Sequence, residues 1–272
     1  MSERPTSDRA EKAPPTPAEL EEIAVRVARA ASELIAAGYG HARRLGSKSS
    51  PTDVVTQTDL DAERLIRDAL RRVTPHAGML GEEGGNETTP GSRLQWVIDP
   101  LDGTVNFLYG VPLFAVSIAA AVDGEVVAGA VVDVLRGEVF SACTGGGARL
   151  DGAPITTSPC NDLAGALVAT GFSYRAELRA AHGVVAYELL SKARDLRCFG
   201  SAALELCWVA CARVDAYYER DIKVWDYSAG ILIAAEAGAL TELPCPENND
   251  LVIAAAAGVF PMLRAAVQLA SG

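Results

Sequence analysis

The residues best suited to catalysis or ligand binding are carboxylates in the segment WVIDPLDGTVNF, residues 96–107. An apolar strand is predicted over 94–98. Because proline cannot donate to a sheet ladder, Asp99 is expected at the exposed carboxyl end of that strand. Asp102 follows three residues later and can turn toward the same space. With the Leu101 carbonyl between them, the two carboxylates form a set of hard oxygen donors suited to Mg²⁺.

The residues that follow these aspartates are suited to binding an anion. Gly103 allows the backbone to approach a ligand closely, and Thr104 can begin a short helix whose free N–H groups bind phosphate. The alternative is an acidic turn without function. The pattern D-P-x-D-G-T is expected by chance in about one chain in ten thousand of this length, which disfavours that alternative.

Three other segments place single carboxylates at loops or helix starts. Glu82 lies in GEEGG (81–85), where the glycines suggest a loop shaped for close approach, although a solvated acidic loop is an equal alternative. Asp226, in VWDYSAG (224–230), and Asp59 each begin a predicted helix, so simple capping explains both equally well. Carboxylates that converge repel one another unless cations lie among them. Two or more Mg²⁺ ions would relieve that repulsion and attract a phosphate.

Motifs of several other enzyme classes are absent from the sequence. It contains no G-x-S-x-G elbow, no G-x-x-x-x-G-K-[ST] loop and no dinucleotide fingerprint. The run of glycines at 145–147 is interpreted as a hairpin turn. The six cysteines include no Cys-x-x-Cys pair, and Cys207 and Cys211 are predicted to be buried thiols rather than ligands of a soft metal.

Composition limits the possible partners. The 272 residues are 49% hydrophobic and 22% charged, which is typical of a globular chain, and the net charge of −11 argues against direct binding to nucleic acid or to an anionic membrane. The longest apolar stretch, roughly 113–122, is too short to span a bilayer. The polar, proline-rich start of the chain lacks the apolar core of a signal peptide, so a cytoplasmic location is predicted.

The elements that must position these residues are predicted to form one compact α+β domain over 16–272, with packed halves of about 16–150 and 151–272. Residues 1–15 are predicted to be a disordered tail. Thr16, Pro17 and Glu19 form the pattern of a capping box, and apolar residues at helical spacing follow as far as Gly38. The further predicted helices are 60–72, 176–193, 201–213, 226–237 and 260–270.

The middle of the chain changes to a strand period. Strands predicted at 114–122, 126–134 and 138–142 are separated by the turn pairs Asp123-Gly124 and Arg136-Gly137, which indicates an antiparallel meander. The other predicted strands are 166–170, 196–199, 214–218 and 250–256.

These blocks of sequence resemble the inositol monophosphatase family, within the lithium-sensitive sugar phosphatase superfamily. The signature regions are 96–107 and 225–230, the supporting blocks are 48–59, 81–85 and 200–219, and the resemblance extends from about residue 18 to the end. The last block is most similar to the bacterial SuhB type. The resemblance implies a layered αβαβα fold, Mg²⁺-dependent hydrolysis of a phosphate monoester, inhibition by lithium and a homodimer.

The resemblance also implies a role for each matching residue. Two or three Mg²⁺ ions are implied, with Lys48 near the third, and the implied metal ligands are Glu82, Asp99, the Leu101 carbonyl, Asp102 and Asp226. The implied catalytic residues are Thr104, Asp59 and Glu82, with Thr104 orienting the attacking water and Asp59 supporting Thr104. The residues implied to contact the substrate are Glu82, Leu101, Asp102, Gly103, Thr104, Gly200, Ser201, Ala202, Glu219 and Asp226.

The sequence departs from the family pattern in two places. The N-terminal tail is longer than the family core needs, and the segment 242–250 looks shorter than its counterpart. Neither departure lies within the acidic blocks, so packing or oligomer contacts are affected rather than chemistry.

Several functions compatible with these residues remain open. The leading prediction is a phosphatase for inositol 1-phosphate, and the alternatives with the same chemistry are phosphatases for histidinol phosphate, fructose 1,6-bisphosphate or a 3′-phosphonucleotide. Glu219 favours a neutral polyol, because a carboxylate repels a second phosphate, although it could accept the amine of histidinol phosphate. A different class is a regulatory binding protein of the SuhB kind, acting through a protein partner.

Overall fold

The computed structural model describes residues 14–41, 44–47, 54–248 and 250–269. Predictions for residues 1–13 and for Lys48 lie outside the described residues. The described helices are α1 (Pro17–Gly38), α2 (Gln57–Val73), α3 (Thr104–Tyr109), α4 (Ala176–Leu190), α5 (Ala202–Ala210), α6 (Val224–Glu236) and α7 (Phe260–Leu269). The described strands are β1 (Arg44–Ser47), β2 (Val54–Thr56), β3 (Gly78–Gly81), β4 (Gly85–Glu87), β5 (Leu94–Asp102), β6 (Ala115–Val122), β7 (Glu125–Asp133), β8 (Val139–Cys143), β9 (Gly147–Leu150), β10 (Ala153–Pro154), β11 (Leu167–Thr170), β12 (Asp195–Arg197), β13 (Ala216–Arg220), β14 (Leu240–Glu242) and β15 (Leu251–Ala255).

Two large sheets are stacked with helices outside and between them, and β1 and β2 pair as a separate two-stranded sheet. The larger sheet has eight strands in the order β10-β9-β8-β7-β6-β5-β3-β4, and the smaller has five in the order β12-β11-β13-β15-β14. Helices α1 and α2 cover the outer face of the larger sheet, α5 and α6 lie between the sheets, and α4 and α7 cover the outer face of the smaller sheet. The predicted layered αβαβα fold is therefore confirmed.

Strand β6 shows why the centre of the larger sheet is almost continuously apolar. Its Val116 and Ile118 side chains pack in the core beneath α1 and α2, whereas Ala115 and Ala119 pack in the core around α5 and α6. A strand covered on both faces has no solvated face, so hydrophobic residues occupy consecutive positions. None of the described helices has the length and apolarity needed to cross a membrane.

Most predicted elements are present close to their predicted positions. The capping box of Thr16 and Glu19 is formed at the start of α1. The meander of β6, β7 and β8 is antiparallel throughout, and Asp123 and Gly124 both have positive φ at its first turn. The glycines at 145–147 connect β8 to β9 as a hairpin. Seven described strands of two to four residues were not predicted, namely β1, β2, β3, β4, β9, β10 and β14. Of these, β4, β10 and β14 lie at sheet edges, where an apolar pattern is not required.

The strand that carries the two central aspartates does not end at Pro100. Strand β5 continues to Asp102, with a register shift between Asp99 and Asp102 that accommodates the proline. Such a bulge removes the need for the N–H that proline lacks. Asp99 pairs opposite Ser117 and is 1% exposed, so the prediction of an exposed strand end is wrong.

Candidate active site

An open pocket of about 500 Å³ collects the residues predicted to carry chemistry. The predicted residues that line it are Glu82, Asp99, Leu101, Asp102, Gly103, Thr104, Gly200, Ser201, Ala202, Glu219 and Asp226. They come from the loop after β3, from β5 and the start of α3, from the start of α5 and the turn before it, from β13 and from the start of α6. Among the described residues, Asp59 is the one predicted site residue outside this lining, and its carboxylate is hydrogen-bonded to Thr104.

The Asp59 carboxylate connects the start of α2 to the pocket. Asp59 is completely buried, and its Oδ2 accepts hydrogen bonds from the N–H of Thr56 at 2.9 Å and from the Thr56 hydroxyl. Its Oδ1 lies 3.0 Å from the hydroxyl of Thr104, which donates to it. Capping and a place in the site were alternatives in the sequence, and this carboxylate makes both the capping bond and a bond to the pocket-lining Thr104.

Asp99 and Leu101 are held by local hydrogen bonds within β5. The Oδ1 of Asp99 accepts a hydrogen bond of 3.0 Å from the N–H of Leu101. The Leu101 carbonyl in turn lies 3.0 Å from the Thr104 hydroxyl. Because a hydroxyl has only one hydrogen, Thr104 can donate to the Leu101 carbonyl or to Asp59 at any moment, but not fully to both.

Asp102 joins the larger sheet to the turn before α5. Its Oδ2 accepts hydrogen bonds from the Ser201 hydroxyl at 2.5 Å and from the N–H of Ala203 at 2.8 Å. Burial raises the pKa of Asp102 to about 6, and the hydrogen bond from Ser201 opposes that rise. The two halves of the site are therefore connected through a carboxylate whose charge is costly to bury.

Asp226 and Glu82 bring a second pair of acids to the pocket. Asp226 is in the first turn of α6, where it accepts a hydrogen bond of 2.6 Å from the N–H of Lys223, so it does cap the helix. Its pKa is raised well above the usual value, first by burial and then by the charges of Glu82 and Asp102. These carboxylates therefore share one poorly solvated space.

Two residues that the sequence reasoning did not single out shape the turn at 199–201. The Asn106 amide donates to the Phe199 carbonyl at 2.7 Å and to the Leu113 carbonyl at 2.9 Å. Glu205 accepts from the N–H groups of Phe199 and Gly200 at 2.9 and 3.0 Å. Both residues lie within the conspicuous blocks 96–107 and 200–219, and their polar side chains among apolar neighbours were an available signal.

Glu219 lies in the pocket and not on the surface. Its Oε2 accepts a hydrogen bond of 2.8 Å from the Tyr217 hydroxyl, and burial raises its pKa to about 7. A Cβ atom on Gly171 would lie 2.2 Å from both carboxylate oxygens of Glu219. A side chain at position 171 would therefore displace the Glu219 carboxylate from its present place.

The glycines around Glu82 allow the close approach that the sequence predicted for this loop. A Cβ atom on Gly81 or Gly84 would lie 2.1 or 2.7 Å from Oε1 of Glu63, a buried residue of α2. The predicted close approach is therefore present, and the group that approaches the loop is a protein side chain. The loop itself is placed correctly, because Glu82 lines the pocket.

The pocket fits Mg²⁺ by the type and location of its donors. The carboxylates of Glu82, Asp99, Asp102 and Asp226 and the Leu101 carbonyl line the same space. Burial raises the pKa of Asp102 and of Asp226, and the charges of Glu82 and Asp102 raise that of Asp226 further, which a cation would relieve. In the described part of the chain, no three His, Cys, Asp or Glu side chains are already grouped as a metal site. In this structure the carboxylates of Asp99, Asp102 and Asp226 accept hydrogen bonds from N–H and O–H groups of the protein.

Comparison with known proteins gives consistent similarities. The model of the inositol monophosphatase family matches residues 16–267. An inositol-1-monophosphatase of Mycobacterium leprae (strain TN) is 47% identical over 253 residues, which cover 89% of this chain and 86% of the relative. The Nus factor SuhB of Escherichia coli (strain K12) is 40% identical over 220 residues, which cover 80% and 82% of the two chains. The solved structure of Mycobacterium tuberculosis SuhB superposes with a TM-score of 0.82 at 41% identity, covering 95% of this chain and 99% of that one.

The layered fold, the acidic pocket and these similarities together define a phosphatase. Phosphatases of this type are generally metal-dependent, which agrees with the chemistry of the donors in the pocket. The chain belongs to the inositol monophosphatase family.

Proposed function

We propose that the protein hydrolyses inositol 1-phosphate in a reaction that requires Mg²⁺. The observation that carries this proposal is one pocket lined both by the carboxylates of Glu82, Asp99, Asp102 and Asp226, which suit a metal, and by Glu219. The mycobacterial relative named inositol-1-monophosphatase supports the substrate.

The residues proposed to hold Mg²⁺ are Glu82, Asp99, the Leu101 carbonyl, Asp102 and Asp226. When bound, the ions supply positive charge that acidifies water and stabilises the leaving alkoxide. The pocket has the acidic character that such ions require, and a dianionic phosphate would otherwise be repelled by it.

Thr104 and Asp59 are proposed to orient the attacking water. When the Thr104 hydroxyl donates to Asp59, the lone pairs of its oxygen are available to accept a hydrogen bond from water. The N–H of Thr56, at the start of α2, holds the Asp59 carboxylate in place. Because an ionised carboxylate can only accept, Thr104 is the donor in its hydrogen bond to Asp59. The same arrangement needs no protein nucleophile.

The substrate is proposed to lie between the metal ligands and β13. The N–H groups of Gly103 and Thr104 would hold the phosphate, and Gly103 adopts the positive φ of 91° that this turn requires. Glu219 and the turn at 200–202 would contact the inositol hydroxyls, since a carboxylate accepts two hydroxyl hydrogen bonds and suits a vicinal diol. A homodimer, implied by the family resemblance, is part of the proposal and is measurable by sedimentation.

The test is a turnover assay of the purified protein against a panel of phosphate monoesters. Inositol 1-phosphate should be hydrolysed with Mg²⁺, and EDTA should abolish the activity. The panel should include histidinol phosphate, fructose 1,6-bisphosphate and a 3′-phosphonucleotide. Full activity in EDTA would reject the metal-dependent proposal, and a strong preference for another ester would replace the substrate. Millimolar Li⁺ should inhibit, as the resemblance implies.

A further inference from the structure

Beneath the loop that carries Glu82 lies a buried ion pair on α2. Glu63 and Arg67 are one helical turn apart and are 2% and 7% exposed. The Arg67 Nε donates to Glu63 Oε1 at 2.7 Å. Neither residue lines the pocket described above.

The pair is bonded mainly to the backbone of the Glu82 loop. The Glu63 Oε2 accepts from the N–H of Glu83 at 2.7 Å, and its Oε1 accepts from the N–H of Gly84 at 2.9 Å. The Arg67 guanidinium donates to the Gly85 carbonyl at 2.7 Å. Three consecutive residues immediately after Glu82 are therefore held by two side chains of one helix.

The close packing of the loop on this pair leaves little freedom for the Glu82 backbone. A Cβ atom on Gly84 would lie within 3 Å of both Glu63 and Arg67. On the other side, the N–H of Glu82 donates to the Ile98 carbonyl of β5 at 3.2 Å. Glu82 is thus fixed between β5, which carries Asp99, and α2, which carries Asp59.

Stability alone is a poor explanation for such a pair. Replacing a buried ion pair by apolar residues of similar volume is often neutral or stabilising, because two charges must be desolvated. Apart from their own pair and a 3.4 Å hydrogen bond from Arg67 to Glu87, the hydrogen bonds of Glu63 and Arg67 are instead directed at residues 83–85 of the Glu82 loop. A positioning role accounts for that direction.

We infer that Glu63, held by Arg67, is a positioning residue that orients the Glu82 carboxylate for metal binding. This inference rests on the proposed function, because it assigns Glu82 to the metal. A displaced Glu82 loop would weaken metal binding while leaving the rest of the pocket unchanged.

The test measures Mn²⁺ binding by isothermal titration calorimetry without substrate, using Mn²⁺ in place of Mg²⁺ for its larger signal. Glu63→Gln should raise the Mn²⁺ Kd by about 10-fold or more, because an amide cannot accept from two N–H groups and Arg67 as a carboxylate does. Glu82→Gln removes a proposed metal ligand directly, so its Mn²⁺ Kd shows how large the effect of losing one ligand is. Asp68→Asn, an exposed change on the same helix, should leave Kd unchanged.

A second variant leaves the charges of Glu63 and Arg67 unchanged and alters only their contact with the loop. Gly84→Ala places a methyl group against Glu63 and Arg67, so it should also raise the Kd. In both variants the Mg²⁺ concentration for half-maximal activity should rise, while kcat at saturating Mg²⁺ falls by less than about threefold. If Glu63→Gln does not fold, Gly84→Ala carries the test.

The outcomes separate this inference from the proposed function. A wild-type protein that binds no Mn²⁺ would remove the proposed function and this inference with it. If Glu82→Gln weakens binding while Glu63→Gln and Gly84→Ala bind within twofold of wild type, only the positioning role is overturned. A lowered melting temperature with an unchanged Kd would likewise assign Glu63 to stability.

Discussion

Single carboxylates in this molecule serve two purposes at once. Asp59 closes the start of α2 and accepts the hydrogen bond of Thr104, and Asp226 closes the start of α6 while facing Glu82. Because one carboxylate has two oxygens and several lone pairs, a capping bond leaves capacity for a second partner. Substitutions of single residues can therefore distinguish an effect on stability from an effect on catalysis.

Asp99→Asn keeps the size of the side chain and removes its charge. We expect activity to fall by about 100-fold or more, because an amide is a poor ligand for Mg²⁺. The fold should survive, and stability could rise since repulsion among the acids is relieved. Turnover and the melting temperature measure the two effects. An unfolded variant whose remaining folded fraction has normal specific activity would make Asp99 structural.

Glu219→Gln should separate recognition of the substrate from chemistry. Loss of the charged acceptor should weaken the preference for inositol 1-phosphate over an aryl phosphate by about 1–3 kcal/mol. Both kcat/KM values are needed, with the aryl phosphate as the control because it has no diol. An equal loss of kcat/KM on both substrates would place Glu219 among the metal ligands. Unchanged kcat/KM on both would show that Glu219 has no role in recognition or catalysis.

The raised pKa of Glu219 also predicts a dependence of stability on pH. The folded metal-free protein holds this proton with a pKa of about 7, against an ordinary value of 4.5. The contribution of Glu219 to stability is therefore fully present below about pH 4.5 and is lost as pH rises toward 7. In EDTA, Glu219→Gln should melt at a higher temperature than wild type at pH 8, and the difference should shrink at pH 5. An identical difference at both pH values would contradict the raised pKa.

At the scale of elements, the pocket depends on helix starts and strand ends that meet closely. Helices α2, α5 and α6 all begin beside the pocket, and β5 and β13 bring Asp99 and Glu219 to it. The turn at 199–201 is held from one side by Asn106 and from the other by Glu205. A small change in one element should therefore displace a carboxylate without a change in that carboxylate itself.

Gly171→Ala tests this coupling between elements. The new methyl group would occupy the position of the Glu219 carboxylate, so selectivity for inositol 1-phosphate should fall about as far as in Glu219→Gln. Gly165→Ala is the matched control, because its Cβ would meet no atom within 4 Å. The same pair of kcat/KM values measures the effect. Unchanged selectivity in Gly171→Ala would show that Glu219 does not contact the substrate.

At the scale of the whole molecule, both large sheets contribute residues to the pocket. The hydrogen bonds from Ser201 and Ala203 to Asp102 join the turn before α5 to the larger sheet. The space between the sheets is filled by α5 and α6, whose apolar side chains pack in one core with both sheets. The pocket thus lies where two layers are already fixed relative to each other.

Residues 1–14 should be dispensable for catalysis. Their side-chain charges balance and their apolar residues show no periodicity, and the charged residues are Glu3, Arg4, Asp8, Arg9, Glu11 and Lys12. A deletion that starts the chain at Pro15 should keep the turnover and the melting temperature of the full chain. A loss of either would show that the tail contacts the folded domain or a second copy of the chain.

Much of the fold was predictable because local signals agreed with it. The capping box at Thr16, the helical spacing as far as Gly38 and the turn at Asp123-Gly124 are properties of short segments, and all three are present. The edge strands β4 and β14 were missed because pairing with a neighbour, and not their own pattern, makes them strands. The course of β5 past Pro100 was mispredicted for the same reason, since the bulge depends on the register with β6.

The sequence by itself determined which residue types and which blocks matter. The acidic blocks indicated hard-metal phosphate chemistry, because several carboxylates and a carbonyl are the donors that Mg²⁺ prefers. Only the tertiary structure decided how they meet. It gave Asp59 two partners, placed Glu219 against Gly171, and put Glu63 and Arg67 beneath the Glu82 loop. The physical reason is that close approach between distant segments depends on packing in three dimensions, which spacing along the chain does not encode.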